Sequence, residues 1–169
     1  MVDVKGPDTP ERFEHLVQVY QTPLRRLCCV LLKDAHLADD AVQETFIKAY
    51  RAMKEFRGES SEKTWLTRIA VNTCRDMQRS RWFAHIDRSV DIASLPEEST
   101  ESDPEDTGLM DAVLRLPLKQ REAVLLYYYQ NLTMQEISQA LHITVSNVSR
   151  RLENARKALR KQLEGEEWA

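Results

Sequence analysis

The chain has 169 residues, 42% of them hydrophobic and 30% charged, with only four glycines and a net charge of −3. That length suits one ordinary domain or two small ones, and the lack of glycine and of alternating β-branched runs excludes most β architectures in favour of an all-α fold. No apolar run reaches the roughly 18–20 residues that span a bilayer, and Met1–Phe13 has no apolar signal core, so a cytoplasmic protein without membrane insertion of its own is expected.

Thr9-Pro10 is a helix start, with Thr as cap and Pro in the first turn. Phe13, Leu16, Val17 and Tyr20 give that helix an apolar face. Thr22-Pro23 repeats the signal and predicts a second helix through Leu24, Leu27, Cys28, Leu31 and Leu32. Asp34 is placed to cap a third, from His36 to Met53, whose stripe is Ala38, Ala41, Val42, Thr45, Phe46, Ala49 and Met53. Gly58 interrupts it, and Ser60 or Ser61 can cap a fourth helix that runs to about Arg81 through Trp65, Leu66, Ile69, Ala70, Thr73, Cys74 and Met77. Trp65 reads mainly as core. Four helices with short connections predict a compact bundle over 9–82. Cys28, Cys29 and Cys74 are odd in number and lack a CxxC spacing, so they read as buried thiols rather than disulfides or metal ligands.

Residues 83–108 hold no helical period and carry one basic and eight acidic groups, with prolines at 96 and 104. Such a segment buries too little apolar surface to offset its ordering entropy and reads as a flexible acidic linker. A second domain is predicted over 109–163. It begins with a short helix around Leu109, Val113, Leu114 and Leu116, then a helix from Leu118 to Tyr129 with Val124, Leu125, Tyr128 and Tyr129 available to the core. Thr133-Met134-Gln135-Glu136 is a capping box, and Ile137, Ala140 and Leu141 come next as the apolar face. His142-Ile143-Thr144 is a turn, and Thr144 caps a last helix with the stripe Val145, Val148, Leu152, Ala155, Leu159 and Leu163. A short helix, a tight turn and a longer helix make a helix-turn-helix.

The net charge conceals a partition. Residues 1–82 sum to +2, 83–108 to −7, 109–163 to +5 and 164–169 to −3. Separate signs imply separate modules with separate partners. The last helix carries Ser146, Asn147, Ser149, Arg150, Glu153 and Asn154 on the outward side of its first turns, where a helix-turn-helix meets base edges. Arg suits guanine, Asn adenine and Glu cytosine. Arg151, Arg156, Lys157, Arg160 and Lys161 suit phosphates.

Two blocks in this order, DDAVQETFIKAYRA with FRGESSEKTWLTRIAVN, and LTMQEISQALHI with VSRRLENARKAL, closely resemble bacterial sigma factors of the extracytoplasmic-function group, within the primary sigma family. The matching parts cover most of 11–82 and 109–163. The resemblance implies that the first module binds core RNA polymerase and the −10 promoter element, and that the second binds the −35 element. By position it assigns polymerase contacts to Asp39, Asp40, Gln43 and Glu44. It gives the −10 element the Arg57–Glu62 turn, with Ser60 and Ser61, together with Lys63, Arg68, Asn72, Arg75 and Arg79. A basic, aromatic-bearing surface of that kind is what holds single-stranded DNA during melting. The −35 element falls to Ser146, Asn147, Ser149, Arg150, Arg151, Glu153, Asn154, Arg156 and Lys157. It implies as partners core RNA polymerase, promoter DNA and an anti-sigma factor. His142 stands where members of the group commonly have Gly, at a position suited to positive φ.

No phosphate-cradling loop, GxSxG or HExxH occurs, and the four histidines have no metal-ligand spacing, so no catalysis, metal or cofactor is expected. Two rival readings remain. A dimeric helix-turn-helix regulator would need no polymerase. An adaptor that binds only proteins would not need the basic last helix.

Overall fold

A computed structural model describes residues 9–83 and 104–166, and all their regular structure is helical. The chain divides into two compact units, Met1–Leu95 and Pro96–Ala169. In the first unit, α1 spans Pro10–Leu32, α2 Ala35–Ala52 and α3 Glu62–Phe83, with a 3-10 turn at Met53–Glu55. The Thr9 hydroxyl accepts from the Arg12 amide at 3.4 Å and Pro10 occupies the first turn, as the sequence predicts.

Pro23 does not start a second helix: it lies inside α1, so the first unit is built on three long helices where four were expected. Proline removes one backbone bond and crowds the preceding turn, costing about 3 kcal/mol. An unbroken helix keeps Leu24, Leu27, Cys28 and Leu31 in phase with Leu16, all buried. Each such side chain contributes about 1.5–3 kcal/mol by burial, so packing outweighs the proline. Lys33 ends α1 in the left-handed region (φ 54°), its amide donating to the Cys29 carbonyl at 2.8 Å. Asp34 Oδ1 then accepts from Leu37 N at 3.0 Å and starts α2 after a two-residue turn.

The buried face of α2 is Ala38, Ala41, Val42, Thr45, Phe46 and Ala49, and Thr45 donates its hydroxyl back to the Ala41 carbonyl at 2.6 Å. Gly58 (φ 71°) turns the chain toward α3. Ser61 caps α3, accepting from Thr64 N at 3.1 Å. Long-range links tie the helices together, among them Arg12 to Glu62 at 2.7 Å, Gln78 to the Leu31 carbonyl at 2.9 Å, and Lys48 to Thr73 at 3.2 Å. Cys28, Cys29 and Cys74 are buried thiols.

In the second unit, α4 spans Pro104–Arg115, α5 Leu118–Val124, α6 Met134–Leu141 and α7 Val145–Glu166. Helix α4 takes in residues 104–108, which the absence of a helical period assigns to the linker. Proline suits a first helical position, where a missing amide breaks no helical hydrogen bond. The rest of the expected linker, 84–103, lies outside the described residues. Helix α5 continues into a single π-helical turn, Leu125–Tyr129, in which Gln130 N donates to the Leu125 carbonyl at 3.0 Å. The wider turn rotates the side chains after it. Leu125 and Leu126 are buried, whereas Tyr128 and Tyr129, expected in the core, are exposed.

Arg121 and Glu122 of α5 are both buried. Arg121 Nη1 donates to the carbonyls of Leu114 and Leu116 at 3.0 and 3.2 Å, satisfying the end of α4. Burial lowers the pKa of this guanidinium, and the Glu122 carboxylate opposes that shift.

Candidate nucleic-acid interface

Helix α6 starts with the expected reciprocal cap. Glu136 N donates to Thr133 Oγ1 at 3.2 Å and Thr133 N to Glu136 Oε2 at 2.7 Å. The helix ends at His142, which adopts φ 54° and ψ 45°. A non-glycine residue there costs about 1–2 kcal/mol. The turn is clamped by the Ser138 hydroxyl, which donates to the Ile143 carbonyl at 2.6 Å, while Ile143 N donates to the Ser138 carbonyl at 3.1 Å. Thr144 Oγ1 accepts from Asn147 N at 3.2 Å and starts α7. Hydrogen bonds thus fix the angle at which α7 leaves α6.

On α7, Val148, Leu152 and Ala155 are buried, but Val145 and Leu163, expected in the same stripe, are exposed. The stripe therefore anchors the middle of the helix and leaves its first residue and its end at the surface. Ser146, Ser149, Arg150, Glu153, Asn154, Arg156 and Lys157 are exposed and Asn147 half-buried. Asn147 Oδ1 accepts from Arg150 Nη2 at 2.5 Å, so the guanidinium and the amide sit together in the first two turns. Glu153 and Lys157 form an i,i+4 pair at 3.0 Å; exposed pairs of this kind contribute little to stability. Arg156 Nε donates to the Tyr128 hydroxyl at 2.8 Å. Arg160 and Lys161 extend the exposed cationic run.

Arg151 departs from the expectation of a phosphate contact. Its side chain is 17% exposed and its Nη1 lies 3.8 Å from Glu122 Oε2, itself 2% exposed. Position 151 falls about 100° round the helix from Arg150, toward α5, so its charge faces a buried carboxylate.

In the first unit, Arg68, Asn72, Arg75 and Arg79 recur at four, three and four residues and share one stripe of α3. Arg68 and Arg79 are exposed, and Asn72 and Arg75 half-buried. Lys63 lies on another side of the helix, roughly 140° from Arg68. Arg57 is exposed in the preceding loop, Ser60 is half-buried, and the Ser61 hydroxyl is engaged as the cap, bonded also to Thr64 Oγ1 at 2.9 Å. Phe56 stacks on Trp65 with centroids 4.7 Å apart and planes 30° from parallel, placing an aromatic pair beside that loop. Trp65 is only half-buried, so it is not plain core.

On α2, Asp40 and Gln43 are exposed and Glu44 is half-buried. Asp39 is engaged by Arg25, whose Nε donates to Oδ1 at 2.5 Å and Nη2 to Oδ2 at 3.4 Å. That hydrogen bond raises the Arg25 pKa. The acidic face is therefore carried by Asp40 and Glu44 more than by Asp39.

Sequence reasoning missed Ile47 and Tyr50, both exposed and in phase with Asp40 and Gln43. The signal was present, because neither fits the spacing of the buried stripe. The Tyr50 ring meets Phe13 edge-on at 5.0 Å, yet the residue stays 60% exposed. Glu122 and Tyr128 were missed because no periodicity announces a buried acid or a π-helical turn.

Comparison with known proteins matches the pattern described as Sigma-70 region 2 to residues 16–84 and that of Sigma-70, region 4 to residues 107–159. The chain is 31% identical over 167 residues to the ECF RNA polymerase sigma factor SigW of Bacillus subtilis, covering 90% of this chain and 89% of that one. It is 31% identical to the RNA polymerase sigma-H factor of Pseudomonas aeruginosa, covering 90% and 86%. In fold it is similar to the sigma factor RpoE of Bartonella quintana, solved in complex with the anti-sigma factor NepR. There the TM-score is 0.79 at 22% identity, over 91% of this chain and 98% of that one. It is also similar to CnrH in complex with the cytosolic domain of CnrY, with a TM-score of 0.71 at 24% identity over 93% and 90%.

Proposed function

The chain belongs to the extracytoplasmic-function group of RNA polymerase sigma factors, and from that premise we propose that it binds core RNA polymerase, reads −35 and −10 promoter elements and promotes DNA melting. The label of a primary sigma family, expected from the sequence, is not carried by the names of its relatives, several of which name the extracytoplasmic-function group. Its partners are core polymerase, promoter DNA and an anti-sigma factor, and it works in the cytoplasm. It does no chemistry of its own; it supplies recognition to an enzyme.

The observation that carries the promoter reading is α7. Arg150 and Asn147, bonded to each other in its first two turns, present donors suited to base edges, and Arg156, Lys157, Arg160 and Lys161 lie beyond them for the backbone. The region over 109–163 reads the −35 element through this helix. The region over 9–82 carries the other two tasks. The α3 stripe of Arg68, Asn72, Arg75 and Arg79, with Arg57 and the Phe56–Trp65 pair near its start, holds −10 DNA. Asp40, Gln43 and Glu44 of α2 meet polymerase. The acidic stretch 84–103 joins the two.

Transcription in vitro with purified core polymerase, with and without the full chain, tests this. Promoter-specific transcripts are expected only when the chain is present. In a randomised −35 library, Arg150→Ala should relax preference at one base pair, at a cost of roughly 1–3 kcal/mol. Equal weakening of every promoter would make Arg150 a phosphate clamp instead.

A further inference from the structure

Arg150 and Lys157 have their partners on α7 itself, whereas Arg156 is held by a residue of another element. It lies in one stripe with Ser149, Glu153 and Arg160, beside the stripe that carries Ser146, Arg150, Asn154 and Lys157. Its Nε donates to the Tyr128 hydroxyl at 2.8 Å. Its guanidinium carbon lies 5.8 Å from the Tyr128 ring centroid and 6.0 Å from that of Tyr127. The two rings brace each other edge-to-face, 5.0 Å apart and 80° between planes. Tyr128 is half exposed, so this arrangement stands at the surface.

The π-helical turn makes it possible. One extra residue per turn carries Tyr128 out of the core and alongside α7. Arginine normally loses much rotamer freedom when it binds an anion, and a side chain already fixed loses less. A bond through Nε leaves the two Nη groups, the paired donors that fit a phosphate, pointing away from the hydroxyl.

We propose that Tyr128 is a positioning residue for promoter DNA: its hydroxyl and ring fix the Arg156 guanidinium so that the Nη donors meet a backbone phosphate at the −35 element. The proposal rests on the reading of α7 as the −35 helix. It gives Tyr128 a role in affinity without sequence preference, because a phosphate contact carries no base information.

The test uses holoenzyme assembled from the full chain and core polymerase, binding a −35 library across a salt titration. Arg156→Ala should weaken all sequences alike and lower the log–log salt slope by about one unit. Tyr128→Phe keeps the ring and removes the hydroxyl; it should weaken all sequences by about three- to tenfold, the range for one hydrogen bond. In an Arg156→Ala background the same substitution should cost nothing. A Tyr128→Phe penalty that persists there, or tracks a fall in melting temperature, would assign the tyrosine a merely structural role and overturn the proposal. Normal binding by Tyr128→Phe would also overturn it. If Arg150→Ala shifts base preference while Tyr128→Phe does nothing, the −35 reading stands and the positioning role falls. If neither Arg150→Ala nor Arg156→Ala has any effect, both fall.

Discussion

Neighbouring arginines on α7 have opposite fates. Arg150 is outward and bonded to Asn147; Arg151 is turned to the buried Glu122. Removing one member of a buried pair leaves the other charge poorly compensated, at a cost of about 3–5 kcal/mol. Arg151→Ala should therefore lower denaturant stability by roughly 3 kcal/mol, whereas Arg150→Ala should leave it nearly unchanged; urea unfolding of both variants decides. A second residue-scale effect concerns Cys29, 1% exposed, whose thiol burial pushes up to about 11 from an ordinary 9.0. Below pH 9 the thiol is protonated whether or not the chain is folded. Between pH 9 and 11 the unfolded chain releases that proton and the folded chain keeps it, so this contribution to stability declines over the window and is lost above 11. Unfolding measured at pH 8 and pH 10.5 should show a drop that Cys29→Ala reduces.

At the scale of elements, α1 shows burial overriding a helix breaker. Pro23→Ala should restore the missing amide and relieve the crowded turn, stabilising the chain by about 1–3 kcal/mol. Unchanged or lower stability in thermal melts would mean that α1 is already adapted to its proline. Helix α2 buries one face and carries its acids on the other, beside the exposed Ile47 and Tyr50. With Asp39 held by Arg25, the double variant Asp40→Lys/Glu44→Lys tests the polymerase contact with little disturbance of the fold. It should weaken assembly with core polymerase at least several-fold while the circular dichroism stays helical, since reversing rim charges works through long-range attraction. Full affinity in a pull-down with core polymerase would remove α2's acids from that role.

For the whole molecule, the uneven charge matters more than its sum. An overall −3 conceals +5 over 109–163 and −7 over 83–108. A basic module approaches DNA with electrostatic attraction that the net charge would not predict. The intervening sequence, 84–103, is polar, acidic and interrupted by Pro96. Limited proteolysis of the free chain should cut first between residues 84 and 103 and release two resistant fragments, because linkers of this composition offer extended chain to a protease. First cuts within 36–82 would contradict the two-module organisation.

The sequence by itself determined the helical class, the starts at Thr9, Asp34, Thr133 and Thr144, a start at Ser60 or Ser61, the buried face of α2 and the helix-turn-helix. These are local matters, set by hydrogen bonds three residues away and by a 3.6-residue period. The resemblance set a glycine, suited to positive φ, where His142 stands, and the chain keeps the left-handed turn there with His142 at φ 54°. Tertiary structure decided the rest. Whether Pro23 breaks α1 depended on apolar side chains packing across the bundle. The outward turn of Tyr128 depended on a π-helical turn that no period encodes. Which of Arg150 and Arg151 faces out depended on a carboxylate almost thirty residues away, at Glu122. In each case a local preference of a few kcal/mol met burial or charge pairing of similar size, and only the packed chain brings the competing groups together.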